Sequence, residues 1–271
     1  MNKIRNGIKL VCPPLIINIY KYFNERNTFT GNYSFWGDAL KECTGYETGL
    51  IIERVKNSIL KVKNGEALFE RDSVIFNKED YNFPLLSTLM YVSSIYKNEL
   101  RIIDFGGSLG STYFQCRKFL NILEYVEWSI VEQSNFVECG MEYFNEKPID
   151  FFYSMEECLK VHKKDVLLLS SVIQYLDKPY EYLEKLFTHK IPYIIIDRTP
   201  FFDNLDRITI QKVPCEIYNA SYPAWFFNHT KFLNVVKEKY DIVFEWDSFE
   251  TWNLKDTIAQ NKGMLLKIKE V

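Results

Sequence analysis

Residues 102–110 read IIDFGGSLG. An apolar run ends at Asp104, Gly106, Gly107 and Gly110 follow within six residues, and the next stretch, STYFQCRKFL, has helical spacing. A strand that passes through a glycine turn into a helix lets backbone N–H groups approach a ligand above the turn. A glycine turn alone is a weak signal, and the strand before it and the helix after it give it weight.

The same rhythm continues outward. EWSIVE is followed by NFVECGMEYF, DFFY by the short helical turn MEECLK, VLLLS by PYEYLEKLF, and then comes YIIID. Continuous apolar strands between amphipathic helices predict a parallel sheet covered on both faces, a doubly wound α/β fold. After Asp197, residues 198–228 read as irregular. Helix TKFLNVVKEK, strand IVFEW, a polar loop and strand GMLLKIK close the chain. The link between those last two strands lacks helical periodicity, which predicts an antiparallel terminal pair. Before Leu100 the pattern is helical. Ile51, Val55, Ile59 and Val62 share one face of ETGLIIERVKNSILKVKNG, which Gly65 ends, and FWGDALKECTGY and FPLLSTLMYVSSIYKN also read as helices. The expected division is a helical N-terminal region over 1–98, serving as lid, acceptor wall or interface, and an α/β domain over 99–271.

Composition narrows the function classes. Of the 271 residues, 47% are hydrophobic and 25% charged, the balance of a globular chain without long disorder. Aromatic residues reach 16%, which fits either an AT-rich genome or a lined cleft. A net charge of −3 and the lack of a long basic run argue against a nucleic-acid partner. The six cysteines are scattered without CxxC spacing, so they read as free thiols of a reducing compartment, and a cytoplasmic location is expected. The start, MNKIRNGIK followed by LVCPPLIINIYKYF, resembles a signal peptide only superficially: Pro13 and Pro14 interrupt it, and no small-residue cleavage site follows. It is too short to span a bilayer. It reads either as a packed helix or as a weak peripheral membrane contact. The oligomeric state stays open.

Open α/β sheets bind ligands beyond the carboxyl ends of their strands. The residues at such ends are Asp104, Gly106, Gly107, Ser108, Gly110, Glu132, Gln133, Ser154, Met155, Ser170, Ser171 and Gln174. All are taken as cofactor-binding candidates. The Asp104 charge suits an ammonium group and would repel a pyrophosphate. A carboxylate at Glu132 can accept both hydroxyls of a ribose. Ser170, Ser171 and Gln174 read equally well as helix-capping or solvated residues, and Tyr175 is a further aromatic beside them.

The segments CPPLI, YSFWGDALKECTGYE, FERD, IIDFGGSLGSTY, WSIVEQSNFVECG, SSVIQYLDKPYEYL, IIIDRTPF and SYPAWFF carry a resemblance over nearly the whole chain. The sequence resembles a bacterial family of class I S-adenosylmethionine-dependent methyltransferases encoded among surface-polysaccharide (O-antigen and capsule) biosynthesis genes. DFGGSLG and WSIVEQ are its most specific parts. Ser108 departs from the family pattern D-x-G-x-G-x-G, with Gly107 beside it. The resemblance implies a Rossmann-like sheet of five parallel strands plus an antiparallel terminal pair. It also implies S-adenosylmethionine as cofactor and a sugar, sugar nucleotide or glycan precursor as acceptor. In that pattern Asp104 faces the methionine end, Ser154 and Met155 lie at the adenine, and Ser170, Ser171 and Gln174 wrap the sulfonium region.

A hydroxyl acceptor needs a base. His229, which follows SYPAWFFN, is one candidate, with a solvated or capping role as its alternative. Asp197 can act as base, orient a base, bind the acceptor or pair with Arg198. Arg198 can fork onto a phosphate or carboxylate. Tyr218, Tyr222, Trp225, Phe226 and Phe227 form either an aromatic wall or ordinary core. Tyr222 and Trp225, with Arg198, are the acceptor-binding candidates. His162 and His189 are set aside as lying on polar stretches. Asp203 and Asp206 have no convincing ligand spacing, and no metal is expected. Two other functions stand beside methyl transfer. One is an NAD-dependent sugar oxidoreductase or epimerase, against which Asp104 and the lack of a Tyr-x-x-x-Lys pair speak. The other is a non-catalytic, cofactor-binding subunit of a glycan-modifying complex.

Overall fold

The computed structural model describes residues 28–44, 48–71, 74–76, 81–161, 163–213 and 220–270. Its centre is the sheet the apolar runs foretold. β4 (Glu99–Phe105), β5 (Tyr125–Val131), β6 (Ile149–Phe152), β7 (Val166–Ser170) and β8 (Tyr193–Phe202) lie in the spatial order β6-β5-β4-β7-β8, all parallel. β12 (Ile258–Ile268) joins β8 antiparallel, and β11 (Tyr240–Asn253) joins β12. The sequential strand order reverses between β4 and β7, where open α/β sheets form their binding crevice.

Alternate residues of each strand feed two cores. Ile102, Trp128, Ile130, Leu168 and Ile195 face α2 (Thr48–Lys63), α3 (Phe83–Ile95), α4 (Ser111–Leu120) and α5 (Ser134–Tyr143). Ile103, Leu167, Leu169, Ile194 and Ile196 face α6 (Met155–Val161), α7 (Pro179–Thr188) and α8 (His229–Lys237). α2 confirms the helical pattern: Ile51, Val55, Ile59 and Val62 are all buried. Each such side chain contributes about 1.5–3 kcal/mol on burial, so docking rather than propensity holds a helix of this length.

Three expectations need correction. The N-terminal region is not purely helical: besides α1 (Trp36–Lys41), α2 and α3 it supplies β1 (Phe29–Tyr33) and a small hairpin, β2 (Phe69–Arg71) with β3 (Val74–Phe76). Residues 198–228 are not irregular. β8 runs on to Phe202, and β9 (Arg207–Lys212) and β10 (Ser221–Asn228) follow. β10 lies parallel to the end of β8, β9 antiparallel to β10, and β1 antiparallel to β9, so the sheet has ten strands. The polar loop after IVFEW is mostly strand, because β11 continues to Asn253 with alternating exposure. The apolar start of the chain lies outside the described residues. Among the described residues, no helix is long and apolar enough to cross a membrane.

β8 changes its surroundings midway. Ile196 pairs with Met264 and Thr199 with Lys262, so Asp197 and Arg198 together oppose the single residue Gly263. This is a β-bulge, a device that re-aims side chains beside functional sites. Arg198 has a φ of 50° there, in the left-handed region a non-glycine residue rarely adopts. A Cβ on Gly263 would lie 2.0 Å from the Trp246 ring, so only glycine fits opposite the bulge.

Candidate cofactor and acceptor site

A cavity of about 1130 Å³ opens over the carboxyl ends of β4, β5, β6, β7 and β8. One end, over β6, is lined by Tyr153 and Lys185, both well exposed. The other, under the added strands, is lined by the exposed side chains of Leu40 and Phe249. Single-ligand clefts span roughly 300–1,000 Å³, so this space lies just above the single-ligand range.

The glycine turn forms the cavity floor. Gly106 (φ 71°) donates its N–H to the Val131 carbonyl at 2.9 Å, and a Cβ there would lie 2.4 Å from Val172. A Cβ on Gly107 would meet the Asp104 carboxyl at 2.5 Å. Asp104, Gly106, Gly107 and Ser108 all line the cavity. Gly110 does not; its φ of 92° starts α4, and it packs toward Ile130 and Ile149, a structural role. Asp104 is also held differently from expectation. Its carboxylate is almost wholly buried and accepts the Trp128 indole N–H at 3.0 Å, where the resemblance implied a carboxylate turned to the cofactor. Burial, opposed by that hydrogen bond and reinforced by the nearby Glu132 charge, pushes its pKa up to about 7.

Glu132 ends β5 as foreseen. Its carboxylate accepts the backbone N–H groups of Ser108 at 3.2 Å and Gln133 at 2.7 Å, which fixes both oxygens at the cavity wall. Burial raises its pKa above the ordinary range. Gln133, Ser154 and Met155 also line the cavity. The Ser154 hydroxyl accepts the Glu157 N–H at the start of α6, so its side chain is already a cap. Ser170, Ser171 and Gln174 line the cavity beyond β7. Ser171 has a φ of 54°, a second non-glycine residue in the left-handed region beside the β8 bulge.

Asp197 lies three strands across the cavity from Glu132. It is fully buried and lines the cavity. Its Oδ2 accepts from Asn82 Nδ2 at 2.9 Å and from the Ser170 hydroxyl at 3.0 Å. Its Oδ1 has no partner among the described residues. Burial raises its pKa, against the lowering effects of the Arg198 charge and the two donors. Arg198 forms no bond with Asp197. It forks onto Glu250 at 2.9–3.0 Å, and Asn261 donates to the same carboxylate at 2.8 Å. Arg198 is therefore committed within the protein, against the phosphate-holding role expected of it.

Two other candidates are displaced. His229 does not line the cavity; it opens α8, lies against the Phe201 ring and bonds Glu245 at 2.9 Å. The alternation of β10 explains Trp225, which does not line the cavity either. It stacks on Trp36 and donates its indole N–H to the Leu176 carbonyl. Phe226 and Phe227 are core, and Tyr222 alone of the described wall reaches the cavity, edge-on to Tyr175. Tyr218 and His162 lie outside the described residues. His189, set aside earlier, lines the cavity beside α7, 4.0 Å from Glu156. Asp206 accepts from Tyr180, the Asn228 N–H and Lys231. The sequence reading missed Asn82, Gln211, Glu250, Trp252 and Asn261, all cavity-lining. The only signal for any of them was the two-residue alternation through Glu250 and Trp252, hidden in a stretch read as loop.

The parallel order β6-β5-β4-β7-β8, closed by antiparallel β12 and β11, is the Rossmann-like sheet of class I methyltransferases, with an acid ending β5 and a glycine turn after β4. No family model matches the chain, and no curated protein matches it. Among solved structures it is similar to the N-terminal domain of EvdMO1 in the presence of SAH and D-fucose. That likeness has a TM-score of 0.48 at 10% identity and covers 80% of this chain and 97% of that one. It is similar to magnesium protoporphyrin IX methyltransferase from Synechocystis PCC 6803 with bound SAM, at TM-score 0.43 and 10% identity over 71% and 86% of the two chains. It is also similar to the glycopeptide N-methyltransferase MtfA complexed with sinefungin, at TM-score 0.46 and 7% identity over 68% and 94%.

Proposed function

We propose that this chain is an S-adenosylmethionine-dependent methyltransferase acting on a hydroxyl of a sugar or glycan precursor. The observation that carries the reading is the cavity itself. It joins a floor of Gly106 to Ser108 with Glu132 to a buried carboxylate, Asp197, which lines the same cavity and whose Oδ1 has no partner among the described residues. The residues fit the cofactor. Glu132 is fixed to receive ribose hydroxyls, and Ser154 and Met155 border the adenine end. Asp104 lies beneath the turn, where its carboxyl favours an ammonium group once it ionises above about pH 7. When bound, S-adenosylmethionine supplies a methyl group on a sulfonium.

The chain's own residues then position and deprotonate the acceptor. Asp197 takes the hydroxyl proton on Oδ1. Asn82 and Ser170, both bonded to Oδ2, hold the carboxylate in place. We assign the base to Asp197 over His229 because only Asp197 lines the cavity. The N-terminal region, through Trp36, Leu40 and Asn82, forms the acceptor-side wall in this reading. The capsule and O-antigen setting and the cytoplasmic location belong to the same proposal and rest on the sequence resemblance.

The test is ligand stabilisation. SAH at 100 times its Kd should add about 2.7 kcal/mol of stability and raise the Tm, while NAD should not. Glu132→Ala should remove most of that shift. Equal stabilisation by NAD would point to the oxidoreductase reading. Stabilisation by SAH without methyl transfer to any acceptor would favour a non-catalytic subunit.

A further inference from the structure

The acceptor half of the cavity is built to receive hydrogen-bond donors. Among the described residues, two side-chain oxygens on residues that line it are buried and have no partner, Asp197 Oδ1 and Gln174 Oε1. Gln174 is only 4% exposed. Its amide orientation is fixed, because Nε2 donates to the Arg198 carbonyl at 3.3 Å and a carbonyl can only accept. Its oxygen therefore stays unmatched. A buried acceptor left without a donor costs about 1–3 kcal/mol, so both oxygens call for N–H or O–H groups from a ligand. A phosphate or diphosphate at neutral pH brings almost none.

Charge points the same way. Among the described residues, the arginine and lysine that line the cavity are each paired, Arg198 with Glu250 and Lys185 with Glu156. Neither is left over for a diphosphate. Gln174, a cofactor candidate in the sequence, is assigned here to the acceptor instead, and the cofactor does not compete for Asp197. Glu132 ends β5 and Asp197 lies on β8, three strand steps away across β4 and β7. At roughly 4.8 Å per step this leaves the methionine arm over β4 and β7, short of Asp197.

On the reading of the cavity as a methyltransferase site, we propose that the acceptor is a donor-rich neutral or amine-bearing polyol. It is read through Asp197 Oδ1 and Gln174 Oε1, and it is not carried on a nucleoside diphosphate. On this proposal sugar nucleotides drop out of the acceptors that the sequence left open.

The experiment offers the full chain radiolabelled S-adenosylmethionine with two panels. One holds methyl glycosides of neutral hexoses, deoxyhexoses and aminohexoses. The other holds the matching uridine and thymidine diphosphate sugars. Label should enter at least one glycoside or aminoglycoside and none of the nucleotide sugars. For the best acceptor, Gln174→Leu should raise KM about five- to tenfold, the worth of one hydrogen bond, with SAH affinity within twofold of wild type. Methylation confined to nucleotide sugars overturns the proposal. So does silence across the polyol panel from protein that binds SAH, or a Gln174→Leu variant whose loss lies in SAH affinity. Absence of SAH binding by the wild-type chain would instead defeat the methyltransferase reading beneath it.

Discussion

Asp104 holds its proton to about pH 7 in the folded chain, against an ordinary value of 3.8. The sign of its effect on stability follows. A raised carboxyl pKa means the folded state keeps a proton that the unfolded state has released, so stability is lost as pH climbs from about 4 to about 7. One such group gives at most about 1.4 kcal/mol per pH unit. Asp104→Asn keeps an acceptor for the Trp128 indole and removes the titration. Urea unfolding of both proteins should show the variant gaining on wild type from pH 5 to pH 8. A difference that stays constant over that range would refute the buried, protonated carboxyl. Asp197→Asn addresses chemistry. It should lower methyl transfer about 10²–10⁴-fold, the usual worth of a positioned base, with SAH affinity unchanged. Because burial raises the Asp197 pKa, wild-type turnover should increase with pH as the carboxyl ionises, and the variant should lose that increase. Normal turnover in Asp197→Asn would dismiss the base. The cavity-floor residues were legible because glycines and acids at strand ends have few other reasons to fall there. Asn82 was not, since a residue that caps its own helix at Leu85 gives no sign of a second bond to Asp197, 115 positions away.

At the scale of the element, α5 sets local propensity against packing. Gly140 lies in its interior, where alanine would ordinarily be favoured by about 1 kcal/mol. A Cβ there would lie 2.3 Å from the Phe151 ring on β6, whose side chain is itself buried. Overpacking of this kind costs about 1–3 kcal/mol, so Gly140→Ala should destabilise by about 1–2 kcal/mol in urea unfolding. A more stable variant would show that α5 can shift outward. The parallel strands were readable because burial on both faces demands unbroken apolar runs, as in VLLLS. β9 and β10 were not. Pro223 within β10 argues against a strand, and the alternation of aromatic and small residues there is masked because residues on both faces are large. Which of Tyr222 and Trp225 meets the cavity depends on register against β9, and register is a tertiary property. The end of β11 was hidden for a related reason: one face is open to solvent and reads as a polar loop.

Across the whole molecule, three carboxyls with raised pKa values, Asp104, Glu132 and Asp197, surround one cavity. Their mutual burial makes the unliganded fold least comfortable above neutrality. A ligand bearing an ammonium group offsets that charge, so stabilisation by SAH should be larger at pH 8 than at pH 6. Thermal shifts at one fixed SAH concentration measure this, and a larger shift at pH 6 would separate the ligand's charge from these carboxyls. The two exposed ends of the cavity, Tyr153 with Lys185 over β6 and Leu40 with Phe249 at the far side, have a consequence for traffic. On the proposed methyl-transfer reading these ends would serve as two doors, so that spent cofactor would leave over β6 while the acceptor keeps its place at the far side.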